Sequence, residues 1–208
     1  MTEQPKKRHK SSFSAPCLYT LLIELRPDEI QPVIWRRLVV DGRVSLAKLH
    51  HFIQAAFCWT DSHLHAFTIN NIQYMEPHPD EMEGDIETRD DRKGYLNRLL
   101  AEEDTFVYLY DFGDSWSHNI TVEKIEMVEE DPQGYAWITG GARACPPEDV
   151  GGAGGYHDFL EKLLTDPHSE EAKRLRMWVD GDFNPNLFDR QAANAAIQRI
   201  LWNAWGGK

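Results

Sequence analysis

The sequence predicts an α+β fold: a mixed, largely antiparallel sheet built from hairpins, with helices packed on one side and a helical C-terminus. Three observations carry this. Apolar residues alternate with period two over much of the first two thirds of the chain, as on half-buried strands. Helical spacing appears early after Ser45 and then dominates the last third. Strands thus come first and most helices last, whereas parallel βαβ units require the two to alternate.

Taken in order, residues 1–15 are polar and aperiodic and read as a disordered tail. Tyr19, Leu21, Ile23 and Leu25 share one face of a strand. Residues 32–40 form a second, with Pro32 at its start, where a missing N–H is tolerated. Ser45 caps a helix, and Val44 and Leu49 have the spacing of a hydrophobic staple around it. Leu46, Leu49, Phe52, Ile53, Ala56 and Phe57 form its core stripe, and Cys58 at its end reads as a buried, inert thiol. A hairpin follows, turning at Asn70-Asn71, since asparagine tolerates left-handed backbone. This strand–strand–helix–hairpin order is β-grasp-like, and a later hairpin extends the sheet.

Residues 76–93 are acidic and read as a surface loop, followed by a short helix over 95–102. Phe106, Tyr108 and Tyr110 alternate with Val107 and Leu109, which marks an interior strand. Residues 111–116 turn into a long strand over 117–128, and 135–142 form a short one. The prolines and glycines of 144–155 speak against regular structure. Helices are expected over 156–165, 170–179 and from Asp189 onward, with Ser169 and Asp189 as caps.

A hydrophobic content of 41%, with seven Trp, seven Tyr and nine Phe, is enough to build a core, and residues 16–205 are expected to form a single domain. A net charge of −12 repels phosphate backbones and disfavours nucleic acid. The exception is the tail run containing Lys6, Lys7, Arg8 and Lys10. Three cysteines without a CxxC pair fit a reducing cytoplasm. No apolar run approaches a membrane span, so no membrane partner is expected.

The densest chemistry lies in Tyr110-Asp111-Phe112-Gly113-Asp114-Ser115-Trp116-Ser117-His118. Asp111 and Asp114 can bind a hard cation or serve as acid and base, and His118 can add an imidazole. His63 and His65, two apart on a strand, can chelate a metal, and the loop 145–149 can contribute Glu148. The catalytic candidates are therefore Asp111, Asp114, His118 and Glu148. The metal candidates are His63, His65, Asp111, Asp114 and His118, with a divalent metal as the only cofactor implied. An architectural reading competes and is favoured: both aspartates suit a turn, Gly113 allows positive φ, and His118 shares a face with Ile120 and Val122. The Gly151–Gly155 run lacks the Lys-Ser/Thr of a P-loop, and neither GxSxG nor HExxH occurs.

Three stretches stand in order: Trp59-Thr60-Asp61-Ser62-His63-Leu64-His65-Ala66-Phe67, the Tyr110–His118 segment, and Ala144-Cys145-Pro146-Pro147-Glu148-Asp149-Val150-Gly151-Gly152. Asp182-Phe183-Asn184-Pro185 with Phe188-Asp189 completes the set. Over residues 17–203 the chain resembles the family named for the third open reading frame of an Agrobacterium Ri plasmid, also described as insertion-element passenger, TnpR-like proteins. The resemblance implies a compact α+β domain with some members beside mobile elements, and it implies no particular activity. The resolvase suggested by the TnpR label fits poorly with scattered basic residues and a negative chain. Val150 stands where the family often has cysteine, so a metal site using that thiol is lacking here.

Two functions are expected from these observations. The first is a non-enzymatic binding or adaptor domain for a protein or small ligand, tied to mobile elements by family. The second is a metal-dependent hydrolase or nuclease-like enzyme built on the Asp/His cluster.

Overall fold

The computed structural model describes residues 15–26, 30–77 and 87–203. The expected basic run at Lys6–Lys10 lies outside them, as does half of the acidic stretch. The elements are β1 (Cys17–Leu25), β2 (Trp35–Asp41), α1 (Leu46–Phe57), β3 (His65–Ile69), β4 (Ile72–Met75), β5 (Thr88–Asp90), α2 (Leu96–Leu99), β6 (Thr105–Tyr110), β7 (Trp116–Met127), β8 (Ala136–Ala142), α3 (Gly152–Thr165), α4 (Glu170–Trp178) and α5 (Arg190–Trp202). A 3₁₀ turn, Asp91–Lys93, follows β5.

The strands form one mixed, largely antiparallel sheet in the order β5-β4-β3-β6-β7-β1-β2-β8. Among the described residues only β4 and β5 pair in parallel. The β6–β7 hairpin lies between β3 and β1, joining the two halves through the centre of the sheet. No described helix is long and apolar enough to cross a membrane.

Period two decides which face is covered. Along β1, Cys17, Tyr19, Leu21, Ile23 and Leu25 are buried while the residues between them are half-exposed. Phe106, Tyr108 and Tyr110 on β6 continue that face, as do Trp116, His118, Ile120 and Val122 on β7. Helix α1 lies across it. His50 bonds Tyr108, Phe57 packs edge-on to His118, and Ala56 O accepts from Arg36 Nε. Phe52, Ile53 and Phe57 are fully buried, and each such side chain contributes about 1.5–3 kcal/mol. Ser45 Oγ accepts from Lys48 N–H as its N-cap.

Several local readings are corrected. Cys58 is exposed. It takes the left-handed C-cap conformation, φ 60°, which ends α1 and turns the residue outward. Asp90 and Asp91 do not lie in a surface loop: β5 pairs with β4, and Asp91 is buried. The segment 152–155 is the first turn of α3. Its glycines serve close approach: a Cβ at Gly155 would fall 1.9 Å from Val150 O.

At the far edge, α5 covers β8. Asn194 Oδ1 accepts from Ile138 N–H (2.8 Å) and Asn194 Nδ2 donates to Ile138 O (3.0 Å). One side-chain amide thus takes the place of a neighbouring strand and shields an open sheet edge.

Candidate functional site

Three segments meet at one end of β3 and β6. The first is residues 59–64, between α1 and β3. Here Trp59 Nε1 donates to Pro146 O (3.0 Å), and its ring stacks on Tyr110 at 5.0 Å. The second is the turn after β6. Asp111 takes φ 55°, and its Oδ1 accepts the N–H groups of Gly113 (3.0 Å) and Asp114 (3.3 Å), which leaves Oδ2 for other partners. The third is the loop from Cys145 to Gly151, where Asp149 takes φ 56°.

Asp114 ties the second segment to the third. Its Oδ2 accepts from Gly151 N–H at 3.0 Å. Its carbonyl oxygen would stand 2.9 Å from a Cβ at Gly152, where φ is 67°. Only glycine fits that position without displacement.

The product of this docking is a convergence on His63. Its Nε2 lies 3.0 Å from Asp149 Oδ1, 3.6 Å from Asp111 Oδ2 and 3.9 Å from Glu148 Oε2. The nitrogen is enclosed, yet it has no hydrogen-bond partner among the described residues. Asp149 is near enough but lies off the direction of a ring N–H bond. His63, Asp111 and Asp149 present ligand atoms within 4.8 Å of one another, compatible with a shared cation. Glu148 is held from behind, its Oε1 accepting from Thr60 N–H (2.8 Å) and Tyr110 OH (3.0 Å). Burial first, then the charge of Glu148, pushes the Tyr110 phenol above its usual range, so it stays a donor.

Beside this cluster opens a cleft of about 940 Å³, walled by His50, His51, Asp61, His63, His65 and Asp91 among others. The proton positions around His50 follow from its partners. Asp61 N–H donates to Gln54 Oε1 (3.0 Å), so Gln54 Nε2 donates to Tyr108 OH (3.0 Å). Tyr108 must then give its own proton to His50 Nδ1 (2.8 Å), and His50 Nε2–H donates to Asp61 Oδ1 (2.6 Å). Burial pushes the His50 imidazole down to about 4, against the opposing pull of Asp61, so it is neutral. Burial raises Asp61, but the bonds from His50 and His51 outweigh it and hold the carboxyl below its usual range. His50, His51 and Asp61 also lie close enough to share a metal. Loading one there would require His50 to reverse its tautomer against Tyr108, so this trio is less prepared than the His63 cluster.

The residues singled out in the sequence thus divide. His63, Asp111 and Glu148 come together. His65 lies apart from them: its Nε2 pairs with Asp91 Oδ2 at 2.9 Å, and its ring stacks on His50 at 3.6 Å. Asp114 holds two loops together and does not face His63. His118 is fully buried, edge-on to Phe57 and Trp59, with Nδ1 against Tyr108 O at 3.3 Å. Burial drives it down to about 3, so it is a neutral core side chain remote from the cluster's carboxylates. Sequence reasoning reached Asp149 only as the end of the loop 145–149, and missed His50, Asp61 and Asp91. One signal was present: His50 falls on the apolar stripe of α1, where a polar residue needs a buried partner.

Comparison with known proteins agrees with this architecture. The family model described as plasmid pRiA4b ORF-3-like protein matches residues 18–192. A Sinorhizobium fredii protein described as uncharacterized protein y4hQ is 34% identical over 178 residues, 83% of this chain and 88% of that protein. The crystal structure of a protein of unknown function, MM3350 from Methanosarcina mazei Go1, is similar with a TM-score of 0.73 at 32% identity, covering 86% of this chain and 98% of that one. By the extent of the model match and the identity to these relatives, the chain belongs to the plasmid pRiA4b ORF-3-like family.

Proposed function

We infer that this protein binds a divalent transition metal through His63, Asp111 and Asp149 and uses it in hydrolysis. One observation carries the reading: an enclosed imidazole nitrogen without a hydrogen bond among the described residues faces carboxylate oxygens at 3.0 and 3.6 Å, drawn from two separate loops. Carboxylates gathered in this way repel one another unless a cation lies among them. One imidazole with two carboxylates suits zinc, manganese or iron. His63 is also a wall of the cleft, so the cleft adjoins the same centre. Glu148 Oε2, 3.9 Å from that nitrogen, is the group best placed to take the proton of an attacking water. The net charge of −12 favours a small molecule or peptide over a polyanion as substrate.

Calorimetric titration of metal-free protein with zinc and manganese, followed by elemental analysis after dialysis, tests this. One equivalent is expected. His63→Ala and Asp149→Asn should each weaken binding by about tenfold or more. A panel of chromogenic esters and amides should show turnover that chelator abolishes. No retained metal, or unchanged affinity in both variants, overturns the reading.

A binding or adaptor role has its own support in Tyr135 and Trp137, which stand exposed at the β8 edge of the sheet. On that reading Trp137→Ala abolishes partner binding and metal has no effect on it.

A further inference from the structure

We propose that the cleft beside His63 is a subsite for a positively charged primary ammonium group, received by the Asp91 carboxylate. Asp91 is only 1% exposed and lines the cleft. One oxygen, Oδ2, accepts from His65 Nε2 at 2.9 Å. The other, Oδ1, is buried and has no hydrogen-bond partner among the described residues, so an ammonium from the cleft reaches it by displacing the atoms that cover it. A buried carboxylate oxygen left without a donor costs several kilocalories per mole unless something supplies one, so natural proteins leave few of them.

The surroundings favour a cationic donor. Asp61, Glu76 and Asp91 place three carboxylates on the wall against the single guanidinium of Arg92. Two N–H groups of that guanidinium are engaged by Asp90: Arg92 Nε and NH2 donate to its two oxygens at 2.8 and 3.1 Å. The facing imidazole, His50, is neutral and gives its N–H to Asp61. Asp91 and His65 offer one carboxylate and one imidazole without a third ligand, so they add no further metal cluster among the described residues. Ala47, Leu64 and Met75 on the wall suit a short apolar chain carrying the ammonium.

This deepens the hydrolase reading, and rests on it only for the reaction, by making the substrate an amine-bearing molecule such as an aminoacyl amide. The subsite itself needs no metal and is tested without one. Chelator-treated protein is titrated with butylamine and with butanol by calorimetry and by ligand-observed NMR. Butylamine should bind at least about tenfold more tightly than the uncharged alcohol of the same shape, the scale of a charge-assisted hydrogen bond. Asp91→Asn keeps an acceptor for His65 and should abolish the preference. If Asp91→Asn does not fold, contacts between the butyl group and the Met75 and Leu64 methyls in the natural protein serve in its place. L-leucinamide against butylamine, each with and without zinc, separates an α-amino ligand from a simple alkylamine. Equal binding of amine and alcohol, an unchanged preference in Asp91→Asn, or absence of those methyl contacts overturns the proposal. Amine binding that survives while the metal titrations fail removes the hydrolase reading alone; metal binding without amine preference removes the subsite alone.

Discussion

Replacing Gly152 by alanine should damage the candidate centre without touching any of its side chains. Gly152 sits at φ 67°, and the methyl group of alanine would lie 2.9 Å from the Asp114 carbonyl oxygen. Left-handed backbone costs a residue with a Cβ about 1–2 kcal/mol. Forcing a methyl against a fixed backbone oxygen adds about 1–2 kcal/mol of strain or displacement. The sum, about 2–4 kcal/mol, lowers the melting temperature of a chain this size by roughly 4–16 °C. Gly154 is the internal control, because it lies in the same helix and a Cβ there meets nothing within 4 Å. Gly154→Ala should raise stability by about 0.5–1 kcal/mol through helix propensity. Urea denaturation of the two variants reads the difference, and calorimetric metal titration reads the consequence. In Gly152→Ala the Asp114–Gly151 bond should break and Asp149 move from Asp111, so metal affinity should fall with stability. If Gly152→Ala matches the natural protein in stability, or loses stability with metal affinity intact, then the Asp114 clamp does not position the cluster.

Other expectations test the scaffold. Asn194→Ala removes both bonds to Ile138 and should cost about 2–4 kcal/mol in urea denaturation. The uncovered β8 edge should also make the variant associate with rising concentration, visible by sedimentation. Arg36 is buried, donating to the carbonyls of Trp35, Ala56, Ala142 and Arg143 and to Cys145 Sγ. Arg36→Lys cannot serve so many acceptors and should lose about 3 kcal/mol or more in the same assay. Acid should act through His50 and His118, held by burial at about 4 and about 3 against an ordinary 6.5. Below pH 6.5 the unfolded chain binds these two protons and the folded chain does not. Stability is then fully present above that pH and falls as the pH drops from 6.5 to about 4, where His50 is protonated in the folded chain, and on to about 3 for His118, with a slope approaching about 2.7 kcal/mol per pH unit while both contribute. His118→Phe should roughly halve that slope, and an unchanged slope would rule out His118 as a source.

Local pattern was enough for the elements because each strand buries one face. Tyr19 to Leu25 and Phe106 to Tyr110 carry their alternation in consecutive residues, and the Asn70-Asn71 turn carries its left-handed backbone in its side-chain type, with φ of 52° and 65°. What failed locally depended on distant partners. Residues 88–91 look like any acidic loop until β4 supplies a parallel neighbour and His65 a partner for Asp91. The glycines of 151–155 speak against regular structure when read locally, because the atoms that demand them, Asp114 O and Val150 O, lie outside the run.

The site shows the same limit more sharply. Period two assigns His63 and His65 to one face and invites a chelate between them. The ladder ends first: its outermost bond runs from Asp111 N–H to Leu64 O (2.9 Å), and Asp61, with φ 60°, bends the chain just before His63. Side-chain parity holds only while the backbone stays extended, so the two imidazoles part, one to Asp149 and Asp111, the other to Asp91. For the same reason the first part of β7, which alternates from Trp116 to Glu123, carries His118 inward with Ile120 and Val122, away from the described carboxylates. The residues that converge are those freed from a ladder: His63 before β3, Asp111 after β6, and Asp149 between β8 and α3. A chemical cluster on this sheet therefore has to be sought where alternation breaks, at positions of left-handed backbone such as Asp111 and Asp149, and not along the strands whose alternation made the fold readable.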